Sequence, residues 1–132
     1  MRPRAAVLDT NVLIYAYFED AKEHERAKKT LNSLESWVIP FIVMVELFWF
    51  ARGIGLGIKE SRNLLMRYLI DNRVHLSPHS EEDLADSLVI EDPLDWEDEL
   101  ILLVAEREGI PIATFDNKLR KKASERGIAI IP

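Results

Sequence analysis

Short apolar segments alternate with helix-like segments along this chain, and that alternation constrains the fold more than any other feature. The helix-like segments repeat apolar residues every three or four positions and end near glycine or proline. Segment 110–115 is apolar on both faces, which is typical of a strand in the middle of a parallel sheet. The predicted strands are 4–8, 37–40, 74–76, 110–115 and 128–131, and the predicted helices are 21–35, 41–51, 58–70, 80–90, 95–109 and 116–126.

Strands that alternate with helices favour an α/β fold with a central parallel sheet and helices on both faces. The chain has 132 residues and no linker, repeat or low-complexity segment, so we expect 1–132 to form a single domain. No apolar run approaches the ~20 residues needed to cross a bilayer, so no membrane span is expected. Cysteine is absent, which excludes disulfides, thiolate zinc sites and a cysteine nucleophile, and fits a reducing cytoplasm.

The net charge of −6 by itself argues against a generic nucleic-acid binder. The distribution of the charges along the chain is more informative about possible binding partners. Segment 81–99 contains ten acidic residues and no basic ones, whereas segment 118–126 contains five basic residues and one acidic residue. An acidic chain with a basic segment can still bind a polyanion when bound cations offset its carboxylates. Binding to nucleic acid therefore stays open.

Four acidic residues stand where the predicted elements would bring them together. Asp9 follows the first strand and Asp116 follows segment 110–115. The carboxyl ends of parallel strands meet in one crevice, where ligands of open α/β sheets bind. Glu46 interrupts the apolar segment 41–51, and Asp98 lies in the first turn of the helix that begins near 95.

Each of these acids also has a purely structural explanation. Asp9 and Asp116 can cap the segments that follow them, and Asp95 can cap the helix at 95–109. Asp98 interacts favourably with the helix dipole near a helix N-terminus. Glu46 could lie on a helix face that meets solvent; otherwise it must be paired, protonated or bound to a cation, because an isolated buried carboxylate costs several kcal/mol.

A cluster of the four carboxylates would repel itself and would need a positive partner. Two such charges ~4 Å apart repel by about 4 kcal/mol at an effective dielectric of 20. Without cysteine and with only three histidines, the natural partner is a hard divalent cation with oxygen ligands. The sequence therefore predicts a site for Mg²⁺ or Mn²⁺, which leaves room for phosphate oxygens and a water molecule.

Four motifs resemble, in order and spacing, those of PIN-domain ribonucleases. They are VLDTNVLIYA, VELF, DWEDELILLVA and ATFDNKL, and the resemblance extends from Val7 to Leu119. The chain length and the segment HERAKKTL look most like the VapC-type toxin of a type II (VapBC) toxin–antitoxin pair. The resemblance implies a PIN-like three-layer sandwich and a metal-dependent endoribonuclease that hydrolyses RNA phosphodiester bonds.

The resemblance also implies roles for individual residues. The family's acidic quartet falls on Asp9, Glu46, Asp98 and Asp116, which would be both the catalytic residues and the metal ligands. The flanking residues expected to orient them are Thr10, Asn11, Asp95 and Thr114. Candidates for guiding the RNA backbone are Lys118, Arg120, Lys121 and Lys122, which could equally form a solvated helix face. One departure is Glu99, which stands where relatives commonly have alanine and adds a charge.

The aromatic run Leu47–Phe50 cannot all point into one core, so we expect part of it to pack against a second copy or an antitoxin peptide. The alternative is burial under the turn at 54–56 and the next helix. The expected partners are therefore RNA, a VapB-like antitoxin and a second copy in a homodimer.

Two other functions remain as alternatives to the ribonuclease. One is a non-catalytic interaction module that keeps the fold, because sequence alone does not show metal binding. The other is a receiver-type phospho-acceptor switch, which needs an acid pair beside the first strand and a lysine at a later strand end. Asp9 has no acidic neighbour and no such lysine is evident, so this second alternative is disfavoured.

Overall fold

The structure, a computed structural model, describes residues 4–131, in which five strands and seven α-helices alternate. The strands are β1 (Ala5–Leu8), β2 (Ser36–Pro40), β3 (Val74–Ser77), β4 (Ile112–Ala113) and β5 (Ile130–Ile131). The helices are α1 (Thr10–Tyr17), α2 (His24–Asn32), α3 (Phe41–Gly53), α4 (Ile58–Leu69), α5 (Glu81–Ser87), α6 (Trp96–Glu108) and α7 (Asn117–Glu125). A 3₁₀ turn at Pro93–Asp95 precedes α6.

The strands form one parallel sheet in the order β3-β2-β1-β4-β5. Ala6, Val7 and Leu8 of β1 are fully buried, although successive side chains of a strand point to opposite faces. Both faces of the central strand are therefore covered, as a parallel sheet flanked by helices requires. The α/β sandwich predicted from the sequence is confirmed.

The strand order reverses between β1 and β4, and this reversal positions the site. The chain runs outward from β1 through β2 to β3, then returns to the other side of β1 for β4 and β5. Val7 pairs with Ile112 and Leu8 pairs with Ala113, so the carboxyl ends of β1 and β4 lie side by side. Such a switch point is where ligands of open α/β sheets bind.

Several element boundaries differ from those predicted. The sequence pattern did not predict α1, because Thr10–Tyr17 lacks polar residues with helical spacing. Segment 110–115 forms a strand only at Ile112–Ala113, because Thr114 and the residues after it turn away to hydrogen-bond with the β1–α1 junction. Helix α5 ends at Ser87 rather than near 90, and α2 begins at His24 rather than 21.

Local signals for helix ends are confirmed where they were strongest. Ser80 and Asp83 form a reciprocal capping box, with each side chain accepting a hydrogen bond from the other's backbone N–H at 3.0 Å. Gly109 ends α6 with φ 66°, a left-handed conformation that favours glycine.

Helix α3 is apolar nearly all round, but its residues have different environments. Val43 and Leu47 are fully buried against the sheet, whereas Phe41 is 53% exposed and Trp49 is 66% exposed. The expectation that the run Leu47–Phe50 points in several directions is confirmed. None of the helices within residues 4–131 is both long enough and apolar enough to span a membrane.

Candidate active site

Asp9 is the most constrained acid at the carboxyl edge of the sheet. It follows β1, caps α1, and is only 7% exposed. Its Oδ1 accepts a hydrogen bond from the Thr10 backbone N–H at 2.7 Å, and its Oδ2 accepts one from the Thr114 hydroxyl at 2.7 Å. Asp9 can therefore cap α1 and also belong to the site, because a different carboxylate oxygen accepts the hydrogen bond from Thr10 and from Thr114.

Thr114 connects the ends of β1 and β4. Besides donating to Asp9, its hydroxyl oxygen accepts hydrogen bonds from the Asn11 side-chain amide at 3.3 Å and from the Asp116 backbone N–H at 3.0 Å. Asn11 Oδ1 in turn accepts a hydrogen bond from the Phe115 backbone N–H at 3.1 Å. These bonds hold the two strand ends, and with them Asp9 and Asp116, in a defined relative position.

Glu46 faces the same site from the middle of α3. It is half-buried, and its Oε1 accepts a hydrogen bond from the Thr10 hydroxyl at 3.0 Å. Burial, a hydrogen bond with Glu97 and repulsion from Glu97 raise the pKa of Glu46 to about 9. Because Glu46 is half-buried and hydrogen-bonded to Thr10, it lies at the site rather than on a fully solvent-facing side of α3.

Glu97 is an acid at the site that the sequence did not single out. It precedes Asp98 in the first turn of α6, shares a hydrogen bond with Glu46 and repels Asp9. Glu99, the added charge noted in the sequence, instead accepts two hydrogen bonds of 2.7 Å from Arg126. Successive helix positions differ by about 100° in direction, and only the docking of α3 against α6 shows which of them meets Glu46.

Asp98 and Asp116 lie beside Asp9. Burial and the charge of Asp9 raise the pKa of Asp98 to about 6, and Lys122 partly opposes this shift. Burial also raises the pKa of Asp9, despite its two hydrogen bonds, and Asp116 adds repulsion. Asp116 is more exposed and caps α7, accepting hydrogen bonds from the backbone N–H groups of the next helix turn. The four predicted acids therefore interact with one another across the switch point.

Asp95 does not act as predicted at the start of α6. It occupies the cap position but makes no capping hydrogen bond. Its Oδ1 instead accepts hydrogen bonds from Lys118 at 2.7 Å and binds Lys122 at 2.9 Å. These bonds, first that of Lys118 and then that of Lys122, lower the pKa of Asp95.

The basic residues of α7 are largely engaged within the protein. Lys118 and Lys122 bind Asp95, and Arg120 donates a hydrogen bond to the Thr114 carbonyl at 3.1 Å. Lys121 is exposed and forms no salt bridge within residues 4–131. Three of the four residues predicted to guide RNA are thus bound to groups of the protein near the site.

The donor set fits a hard divalent cation. The site contains carboxyl groups and hydroxyls, three of the carboxyls have raised pKa values, and Lys122 is the cation that opposes the shift of Asp98. Within the described residues no three acids or histidines are already close enough to bind one ion together. Side chains would have to rotate toward the ion, which suits Asp98, Asp116 and Glu46 better than the doubly held Asp9.

The family model of the PIN domain matches residues 6–125. Among solved structures, the chain is similar to VapC20 of Mycobacterium tuberculosis, a sarcin–ricin loop cleaving toxin, with 14% identity, 89% of this chain and 94% of that chain covered, and a TM-score of 0.76.

Two further similarities cover almost the whole chain. A toxin–antitoxin complex from Klebsiella pneumoniae is 23% identical, with 96% of both chains covered and a TM-score of 0.66. A DNA-bound VapBC from Salmonella typhimurium is 24% identical, with 98% of both chains covered and a TM-score of 0.58. At such identities the likeness concerns the fold. No protein of curated function matches the chain by sequence.

Proposed function

Because this chain belongs to the PIN domain family, we propose that it is a metal-dependent endoribonuclease that hydrolyses RNA phosphodiester bonds. The observation that carries the proposal is the convergence of Asp9, Glu46 and Asp98, all with raised pKa values, at the switch point of a parallel sheet. A self-repelling group of acids at a ligand-binding edge is typical of a site that is completed by a cation.

We assign Asp9, Asp98, Asp116 and Glu46 as the residues that hold Mg²⁺ or Mn²⁺. The bound metal supplies Lewis acidity and lowers the pKa of a water molecule. Asp9 is the fixed member, because Thr10 and Thr114 hold both of its oxygens. Glu46 must lose its proton to take part, and the Thr10 hydroxyl orients it meanwhile. Asn11 and Thr114 align the two strand ends, and Asp95 holds Lys118 and Lys122 beside the site.

The test is cleavage of RNA by the purified protein with and without Mg²⁺ or Mn²⁺. We expect metal-dependent cleavage, and a loss of at least about 100-fold in the Asp9→Asn variant, because that residue contacts both the metal and its orienting partners. Asp86→Asn, an exposed acid on α5, is the matched control and should keep full activity. Equal cleavage by the wild-type protein and Asp9→Asn would contradict the assignment.

We further propose that the protein is a VapC-type toxin that acts in the cytoplasm, where RNA is found, and that 1–132 is one PIN domain. The similar proteins described above include a toxin and complexes of toxin with antitoxin. The exposed apolar side chains of α3, namely Phe41, Val45, Trp49 and Phe50, offer a surface for a VapB-like antitoxin or a second copy in a homodimer. Trp49 is not buried under the turn at 54–56, because Trp49 and Ile54 are both exposed, whereas Leu47 is buried.

This surface can be tested with Trp49→Ala. We expect the wild-type protein to sediment as a dimer or to bind a small neighbouring protein, and Trp49→Ala to weaken that association about tenfold or more, because exposed aromatic anchors dominate such contacts. Ile70→Ala, which removes a similarly exposed apolar side chain that follows α4, is the control. A strictly monomeric wild-type protein without any such partner would overturn the partner proposal but leave the nuclease proposal intact.

A further inference from the structure

A second positively charged surface lies outside the acidic site and outside α7. An open depression of about 410 Å³ is lined by Arg4, Arg26, Lys29, Thr30, Ser33 and Ile131. It contains three cationic side chains and two hydroxyl groups, and no acidic residue lines it. We name Arg4, Arg26 and Lys29 the basic strip. Cations and hydroxyls without carboxylates are the groups that contact nucleic-acid phosphates.

One end of the basic strip adjoins the candidate active site. The Arg26 guanidinium lies 4.9 Å from the centroid of the Phe115 ring, and Phe115 stands between Thr114 and Asp116. From Arg26 to Ser33 the helix covers about 10 Å at its normal rise, so the depression leads away from the site along α2. Arg26 is held in place by that ring and by Glu23 at 2.9 Å.

The two basic surfaces differ in how far their charges are already neutralised. Lys118 and Lys122 of α7 share the carboxylate of Asp95. Within residues 4–131, Arg4 and Lys29 form no salt bridge, and both are exposed. A cation without a protein partner binds a phosphate without first giving up an ion pair, and neutralised phosphates release counterions. Arg26 is already paired with Glu23, so Arg4 and Lys29 are the cations of the basic strip that can bind a polyanion without breaking an ion pair.

Aromatic rings beside the strip favour a single strand over a duplex. Tyr15 and Phe115 have ring centroids 5.6 Å apart, and both are only half-buried at the end of the strip nearest the site. Single-stranded nucleic acids are bound by a basic groove for the backbone combined with aromatic side chains on which bases stack.

We propose that the basic strip binds the phosphates of single-stranded RNA on one side of the bond that is cleaved. The inference rests on the proposed ribonuclease function and adds the path of the substrate. The strand would pass the Phe115 ring, meet Arg26, and continue along α2 to Lys29 and Arg4.

The test is binding of a fluorescently labelled single-stranded RNA of 20 nucleotides in EDTA, measured by anisotropy over a range of salt concentrations. The variant is Arg4→Gln/Lys29→Gln, and the matched control is Lys28→Gln, the adjacent lysine of α2, which lines a different depression with Tyr17 and Trp37. Loss of two phosphate contacts should reduce the salt slope by about 1.4 and weaken binding about 25-fold at 0.1 M salt. Lys28→Gln should behave like the wild-type protein.

The inference would be overturned by an unchanged salt slope in the double variant or by an equal loss of RNA affinity in Lys28→Gln. The absence of RNA binding by the wild-type protein would also overturn it. A larger loss of RNA affinity in Lys121→Gln than in the double variant would also overturn the inference, because the RNA would then bind along α7. If the proposed ribonuclease function is wrong, the protein will not cleave RNA with Mg²⁺ or Mn²⁺ although the basic strip still binds RNA. This result differs from a failure of the inference itself. If the wild-type protein cleaves RNA and the double variant has no effect, the proposed path of the RNA is wrong but the ribonuclease function stands.

Discussion

Two aspartates with the same exposed fraction have opposite pKa shifts, because they lie at different depths and have different partners. Asp9 and Asp83 are both 7% exposed. Asp83 binds Arg107 and the Ser80 backbone N–H, and although burial alone raises its pKa, these partners lower it. Among residues 4–131, no basic side chain forms a salt bridge with Asp9; burial raises its pKa, and Asp116 and Glu97 add repulsion. The aspartate of the α5 capping box is paired with a cation of the chain, whereas the aspartate of the candidate active site is repelled by its acidic neighbours.

The largest effect is expected when Arg107, the cationic partner of Asp83, is replaced. Arg107→Met keeps the aliphatic stem but leaves Asp83 without its ionic partner, and Ser77 and the Pro78 carbonyl lose the hydrogen bonds they receive. Because Asp83 keeps the hydrogen bond from the Ser80 backbone N–H and Arg107 is partly exposed, we expect the free energy of unfolding in urea to fall by about 2 kcal/mol. Cleavage per folded molecule should stay unchanged, since Arg107 lies outside the site.

A double variant controls for lost packing. Asp83→Asn/Arg107→Met removes the charge as well as its partner, so part of the lost stability should return. If the double variant is as unstable as Arg107→Met alone, the charge of Asp83 is not the cause.

The next test uses the opposite pKa shifts of Asp83 and of the acids in the candidate active site. The folded-state pKa values of Asp98 and Glu46 are raised, to about 6 and about 9, from ordinary values of 3.8 and 4.5. Between the ordinary and the raised value the native state holds more protons than the unfolded chain, so stability falls as pH rises. For Asp83, whose pKa is lowered, stability is present above 3.8 and is lost as pH falls through the folded pKa.

We therefore expect the metal-free protein to lose roughly 5 °C of Tm between pH 6 and pH 9, measured by circular dichroism in EDTA. Glu46→Gln should remove most of that fall, because an amide mimics the protonated carboxyl beside Glu97. Saturating Mn²⁺ should also restore stability at high pH in the wild-type protein. A Tm that is constant or rises over this range would show that the acids do not repel one another.

The smallest expected effect distinguishes Glu97 from Glu99, the two acids of α6 that flank Asp98. Glu97 faces Glu46, whereas Glu99 is bound to Arg126. Glu97→Gln should weaken Mn²⁺ binding about threefold, because one negative charge near the ion is lost, and Glu99→Gln should leave it unchanged. Isothermal titration calorimetry measures both. If Glu99→Gln has the larger effect, the orientation of this helix turn toward the site is wrong.

The sequence by itself determined the elements that repeat a local rule. Alternating strands and helices predicted the parallel sheet, and Ser80, Asp83 and Gly109 predicted helix ends, because these signals act over three or four residues. The strand-end positions of Asp9 and Asp116 predicted that they would meet, because parallel strands bring their carboxyl ends to one edge. Helix α1 was missed because Thr10–Tyr17 lacks polar residues with helical spacing, and β4 is shorter than predicted because tertiary hydrogen bonds to Thr114 and Asn11 end the strand.

Only the tertiary structure decided which charges are neutralised. Asp83 and Arg107, or Asp95 and Lys122, are far apart in sequence, and no periodicity predicts that they meet. The choice between Glu97 and Glu99 likewise depends on how α6 packs against α3. Electrostatic energy depends on distance and burial in the folded chain rather than on residue order. The sequence therefore specified the acids that could form a site, and the packing of the helices determined which of them lie together and which are paired with basic residues.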